Sequence, residues 1–152
     1  MGLTNNYALR YQEMEVHTAD PFDLILILYK GAIRELGQAS AYFASGDIEK
    51  RVARINKAIA MISELQTSLN FEKGGEIAAS LDRLYTYMLR RISQANAQQD
   101  PQPVEEVVRL LSTLLSGWEE ARQTYRMTQK APRVPSAYPD TLSVHQSTLS
   151  MR

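Results

Sequence analysis

The chain contains no cysteine, so disulfides and thiolate metal sites are excluded and a reducing compartment suits it. Histidine is nearly absent as well: the two present are His17 and His145, and both fall outside every segment with helical periodicity. A di-metal centre in a helical bundle requires Glu-x-x-His pairs projecting from facing helices, and the sequence has none. A serine nucleophile with a histidine base would need one of the chain's terminal segments to fold onto the body. No charge of either sign predominates, since Lys plus Arg and Asp plus Glu each total 17. That balance argues against nucleic acid or an anionic membrane as partner. Long apolar runs are missing too. Residues 22–29 are intensely apolar, but a membrane span takes roughly 20 such residues, so stable membrane insertion is not expected. The first residues lack a basic segment followed by an apolar one. A cytoplasmic protein with no metal and no cofactor is the expectation.

What is present is helical periodicity. With 44% hydrophobic residues and eight tyrosines, 152 residues can fill the core of one domain. Residues 1–18 are weakly periodic and read as a mobile arm. In the next segment Asp20 is a candidate cap, Pro21 suits a first helical position, and Asp23 lies where a carboxylate can complete the cap. The predicted helices run over about 20–44, 47–70, 75–96 and 101–126. The bend at Ser45, Gly46 and Asp47 divides the first two, with Asp47 as cap. The glycine pair Gly74 and Gly75 is read as the turn before the third, because glycine tolerates positive φ. Asp100 and Pro101 repeat the start signal before the fourth. Residues 127–152 carry Pro132, Pro135 and Pro139 with little periodicity and read as a flexible tail.

Short connections between long helices force antiparallel neighbours, so the expected fold is all-α, an antiparallel up-down-up-down four-helix bundle. The expected core stripe of the second helix is Ile48, Val52, Ile55, Ile59, Ile62 and Leu69. That of the third is Ile77, Leu81, Leu84, Met88, Ile92 and Ala95, with Tyr85 and Leu89 on one flank and Tyr87 on the other. Trp118 follows the stripe of the fourth helix and is expected in the core. Arg83, Arg90 and Arg91 form a basic edge, either solvated or offered to an acidic rim. The first and third helices carry more apolar surface than one buried seam requires. The arm, the tail or a second copy of the chain could cover the surplus, or it could form a groove for an amphipathic segment of another protein. Self-association as a structural or regulatory module is the competing class.

Four blocks of the chain resemble the flagellar secretion chaperone family FliS: TADPFDLILILYKGAI, AIAMISELQTSLN, GGEIAASLDRLYTYMLRRISQAN and PVEEVVRLLSTLLSGWEEA. The third is the most specific, combining GGEIA, LYxYM and an arginine pair at fixed spacing. The tail is longer than the resemblance predicts. The resemblance implies a four-helix bundle without catalysis that holds the disordered carboxy-terminal segment of flagellin, blocks premature polymerisation and delivers the subunit to the flagellar type III export apparatus. It also implies that the arm, with Tyr7, covers a groove and leaves when cargo binds. Leu24, Ile25, Leu28 and Tyr29 of the first helix, with Leu81, Tyr85, Met88 and Leu89 of the third, are the expected cargo anchors. An export-gate component or an anti-sigma factor would be further partners, and the oligomeric state is expected to be a monomer or a weak homodimer.

Overall fold

A computed structural model describes residues 20–128; the arm with Tyr7, both histidines and the tail from residue 129 lie outside the described residues. Four helices follow in order: α1 (Asp23–Ser45), α2 (Ile48–Thr67), α3 (Phe71–Gln98) and α4 (Gln102–Thr128). Each packs against its chain neighbours, and α4 returns to pack against α1. The result is a four-helix bundle in up-down-up-down order around one core.

The helix ends follow from local chemistry. Asp20 and Asp100 each precede a proline, and each uses its side chain in the same way. Asp20 Oδ1 accepts the N–H of Phe22 at 2.9 Å, and Asp100 Oδ1 accepts that of Gln102 at 3.0 Å. Both carboxylates therefore cap a turn just ahead of the helix, which delays α1 to Asp23 and α4 to Gln102. Gly46 closes α1 in the left-handed region with φ 75° and donates to the Tyr42 carbonyl. Asp47 then caps α2 by accepting the N–H of Lys50 at 3.1 Å.

The α2–α3 junction differs from the expectation. The chain reverses at residues 68–70, not at the glycine pair, because Asn70 caps a new helix by accepting the N–H of Lys73 at 2.9 Å. One turn later Gly75 adopts φ 48° and ψ −125°, a kink inside α3. Only glycine occupies that region without strain. Gly74 keeps helical bonding, donating to the Asn70 carbonyl at 2.8 Å.

Two stripes are also rotated from their expected positions. In α3 the buried line is Ala78, Leu81, Tyr85, Met88, Ile92 and Ala95, whereas Ile77 is 55% exposed and Leu84 half-buried. In α2, Ile55, Ala58, Met61, Ile62 and Leu65 form the buried face, and Ile48 at its start is 53% exposed. Small residues permit close approach of α1 and α2: Gly31, Ala32, Ala39, Ala58 and Ala60 are all buried. Trp118 is buried as expected, and its ring lies 6.2 Å from that of Phe22 and 6.4 Å from that of Tyr29.

Candidate functional site

Six of the eight expected anchors lie inside the bundle. Ile25, Leu28, Tyr29, Leu81, Tyr85 and Met88 are between 0% and 7% exposed. Tyr29 and Tyr85 explain why: their hydroxyls meet at 2.6 Å, joining α1 to α3 across the centre. Tyrosine at a core position satisfies its hydroxyl by pairing with another, so a pattern that reads as a wet rim in sequence becomes an internal strut. Burial pushes the Tyr29 hydroxyl up to about 12 from an ordinary value of 10, against the opposing effect of hydrogen bonds with Tyr85 and Trp118. Leu24 and Leu89 are half-buried and keep part of their side chains at the surface.

A stretch of apolar surface that remains open lies between α3 and α4. Its register is set by Glu106 on α4, which accepts from the Tyr87 hydroxyl at 2.7 Å and from Arg91 Nε at 2.7 Å. The tyrosine hydrogen bond, then the arginine, hold the Glu106 carboxyl below its ordinary range. Arg91 is thus committed to an internal pair, while Arg83 and Arg90 stay exposed. From this tie the two antiparallel helices descend together. Leu84 and then Ile77 follow on α3 at one and three turns from Tyr87. On α4, Leu110, Leu114, Gly117 and Ala121 recur at spacings of four, three and four, which places them on one stripe facing α3. The three apolar side chains of that stripe are partly buried against the core. At Gly117 the stripe has a notch, since a Cβ there would meet nothing within 4 Å. The arrangement is a shallow groove with leucine and isoleucine walls and a glycine gap, which suits an apolar side chain.

This groove was not among the sequence expectations, because Ile77 and Leu84 had been assigned to the core. Its signal was present nonetheless: α3 carries two overlapping stripes one residue apart, and only one can face inward. Beside the groove, an open depression of about 530 Å³ on α4 is lined by Thr113, Ser116, Gly117, Glu119, Glu120 and Gln123. Two more ties brace the walls. On the α2 side of α3, Gln66 Nε2 donates to Asp82 Oδ1 at 3.0 Å and to Thr86 Oγ1 at 2.8 Å. On the α1 side of α4, Asp20 Oδ2 accepts from Arg122 Nε and Arg126 Nε, each at 2.8 Å, and Arg122 also pairs with Asp23. Among the described residues no group of His, Asp and Glu is placed to hold a metal ion. No helix of the described residues is long and apolar enough to cross a membrane.

Comparison with known proteins agrees with this architecture. The profile of the flagellar protein FliS family matches residues 3–125. A flagellar secretion chaperone FliS of Salmonella typhimurium is 41% identical over 115 residues, covering 75% of this chain and 85% of its own. One from Vibrio cholerae is 34% identical over 113 residues, covering 74% of this chain and 83% of its own. One from Bacillus subtilis is 33% identical over 126 residues, with 83% and 92% covered. On the strength of a match that spans all four helices, the chain belongs to the FliS family.

Proposed function

We propose that this protein is a flagellar export chaperone of the cytoplasm, a binding protein and not an enzyme, whose cargo is the disordered carboxy-terminal segment of flagellin. It holds that segment against premature polymerisation and delivers it to the type III export apparatus, with an export-gate component or an anti-sigma factor as further partners. Two features support the reading: the relatives' name, and an apolar groove that the bundle leaves open between α3 and α4. The carrying observation is Ile77, 55% exposed on a helix whose core stripe is complete without it. Cargo side chains would dock along Ile77, Leu84, Leu110 and Leu114, with one entering the gap at Gly117. Leu24 and Leu89 are the two sequence-expected anchors accessible enough to contribute. The other six act from the core, by holding the walls apart. The arm with Tyr7 would cover apolar surface of the free protein and leave when cargo binds.

Calorimetric titration with a flagellin carboxy-terminal peptide tests this. The expected result is saturable one-to-one binding with a negative heat-capacity change, the mark of apolar burial. Each buried Leu or Ile side chain is worth roughly 1.5–3 kcal/mol, so Ile77→Glu or Leu114→Glu should weaken binding about tenfold or more. Binding that neither substitution affects would remove the groove from the proposal. No binding, together with a stable dimer on sedimentation, would move the function to self-association.

A further inference from the structure

We infer that the carboxy-terminal segment of this same chain, residues 129–152, is a second occupant of the α3–α4 groove and so competes for it. The family match ends at residue 125, so this segment lies beyond what the family profile covers. It departs from Thr128, at the end of the bundle where α4 finishes and α3 begins. Antiparallel packing places the open part of the groove at that same end, with Ile77 two helical turns into α3 and Ala121 two turns before the end of α4. At up to about 3.3 Å per residue, the segment can reach Leu110 without strain on the bundle.

Composition selects this segment over the arm. The bundle end beside the groove is acidic on balance: Glu72, Glu76 and Glu120 are exposed there against Lys73, while Glu119 pairs with Lys30 at 3.6 Å. Residues 129–152 bring Lys130, Arg133 and Arg152 against a single Asp140, whereas residues 1–19 bring Arg10 against Glu13 and Glu15. A basic segment is therefore drawn to this surface more strongly than the arm is. Towards the end of the segment, Leu142, Val144, Leu149 and Met151 stand singly among polar residues, mostly serine and threonine. That suits a site with an apolar floor at Leu114 and Gly117 and a polar ledge at Thr113, Ser116 and Gln123. Spaced side chains of this kind anchor weakly, so the occupant yields to a longer partner.

The absence of cysteine allows a direct test on the full chain. A nitroxide is attached to Ser150→Cys, and paramagnetic broadening of backbone amides is mapped by NMR. An equimolar mixture of labelled and isotope-enriched unlabelled chains separates contacts within one chain from contacts between copies. Broadening centred on Ile77, Leu84, Leu114 and Gly117 within one chain is the expected result, falling at least twofold in Lys130→Glu/Arg133→Glu and in high salt. No localised broadening, broadening only between copies, or broadening centred on the outer face of α1 would overturn the inference. Its consequence for cargo rests on the proposed function and reads out separately. The charge-reversed chain should bind the flagellin peptide severalfold more tightly than the native chain. Equal affinities would overturn the competition while leaving cargo binding established, and binding by neither chain would count against the cargo reading alone.

Discussion

Removing one hydroxyl from the centre of the bundle gives a measurable account of what holds it together. Tyr85→Phe deletes the partner of the Tyr29 hydroxyl at 2.6 Å, in a site where both residues are 0% exposed. A buried hydrogen bond contributes about 1 kcal/mol net, and an orphaned buried hydroxyl costs about 1–3 kcal/mol. Trp118 still offers Tyr29 a hydrogen bond, so the lower part of that range applies and the expected loss is about 1–2 kcal/mol. For a bundle of roughly 100 ordered residues this corresponds to a Tm lower by about 4–8 °C. Tyr29→Phe/Tyr85→Phe should cost less than the two single substitutions added together, because it leaves no tyrosine hydroxyl orphaned. Urea denaturation followed by far-UV circular dichroism, and separately by the fluorescence of the single tryptophan, provides the assay. The pH dependence gives a second reading of the same pair. The Tyr29 hydroxyl titrates at about 12 in the fold and at 10 when unfolded, so the folded state binds more protons between those values. Its stabilisation is complete below pH 10 and is lost as pH rises towards 12, by about 3 kcal/mol in all. Tyr29→Phe should flatten that part of the alkaline limb. A Tyr85→Phe protein as stable as the native one, with an unchanged alkaline limb in Tyr29→Phe, would refute the internal strut.

Three further outcomes follow from the geometry. Gly75→Ala should destabilise by about 1–3 kcal/mol, because φ 48° with ψ −125° admits only glycine, while Gly74→Ala should be neutral or stabilising by up to about 1 kcal/mol; denaturant midpoints of the two variants check the contrast. Arg122→Gln leaves Asp20 and Asp23, each with a side chain 9% exposed, short of a partner and should cost about 1–3 kcal/mol, whereas Arg126→Gln, 57% exposed, should cost under about 0.5 kcal/mol. Glu106 has a depressed folded value, so its contribution is present above the unfolded value of 4.5 and is lost as pH falls through the folded one; Glu106→Gln should lessen the acid sensitivity of thermal unfolding.

Helix number, order and packing were legible because each helix repeats an apolar residue every three to four positions and is bounded by Asp, Gly or Pro. The phase of those stripes was less so. In α3 the lines Ile77–Leu81–Leu84–Met88 and Ala78–Leu81–Tyr85–Met88 fit the helical period equally well. What chose between them is the Tyr29 hydroxyl, 56 positions away in sequence, a contact that no local pattern contains. The expected anchors follow from the same patterns: residues on the two most apolar helices are the natural candidates for a groove, and burial in a bundle draws on that same surplus, so that six of the eight are in the core. Asn70 as a cap was visible in principle, but the neighbouring glycine pair gave the stronger turn signal. The register of the groove depends on Glu106 meeting Tyr87 and Arg91, again a contact between distant residues.

The meeting of Asp20 with Arg122 and Arg126 has a consequence for the symmetry of the molecule. An even number of antiparallel helices brings the first and the last of the described residues to one pole, and these charges fasten them side by side. The kink at Gly75 and the open end of the groove lie at that pole too. The opposite pole contains only the tight turns at Gly46 and Gln99. The molecule is therefore chemically two-ended. A fluorophore or tether attached at the Gly46 turn reports on the bundle without competing for the proposed groove, whereas one attached beside Asp20 or Thr128 crowds the pole where that groove opens.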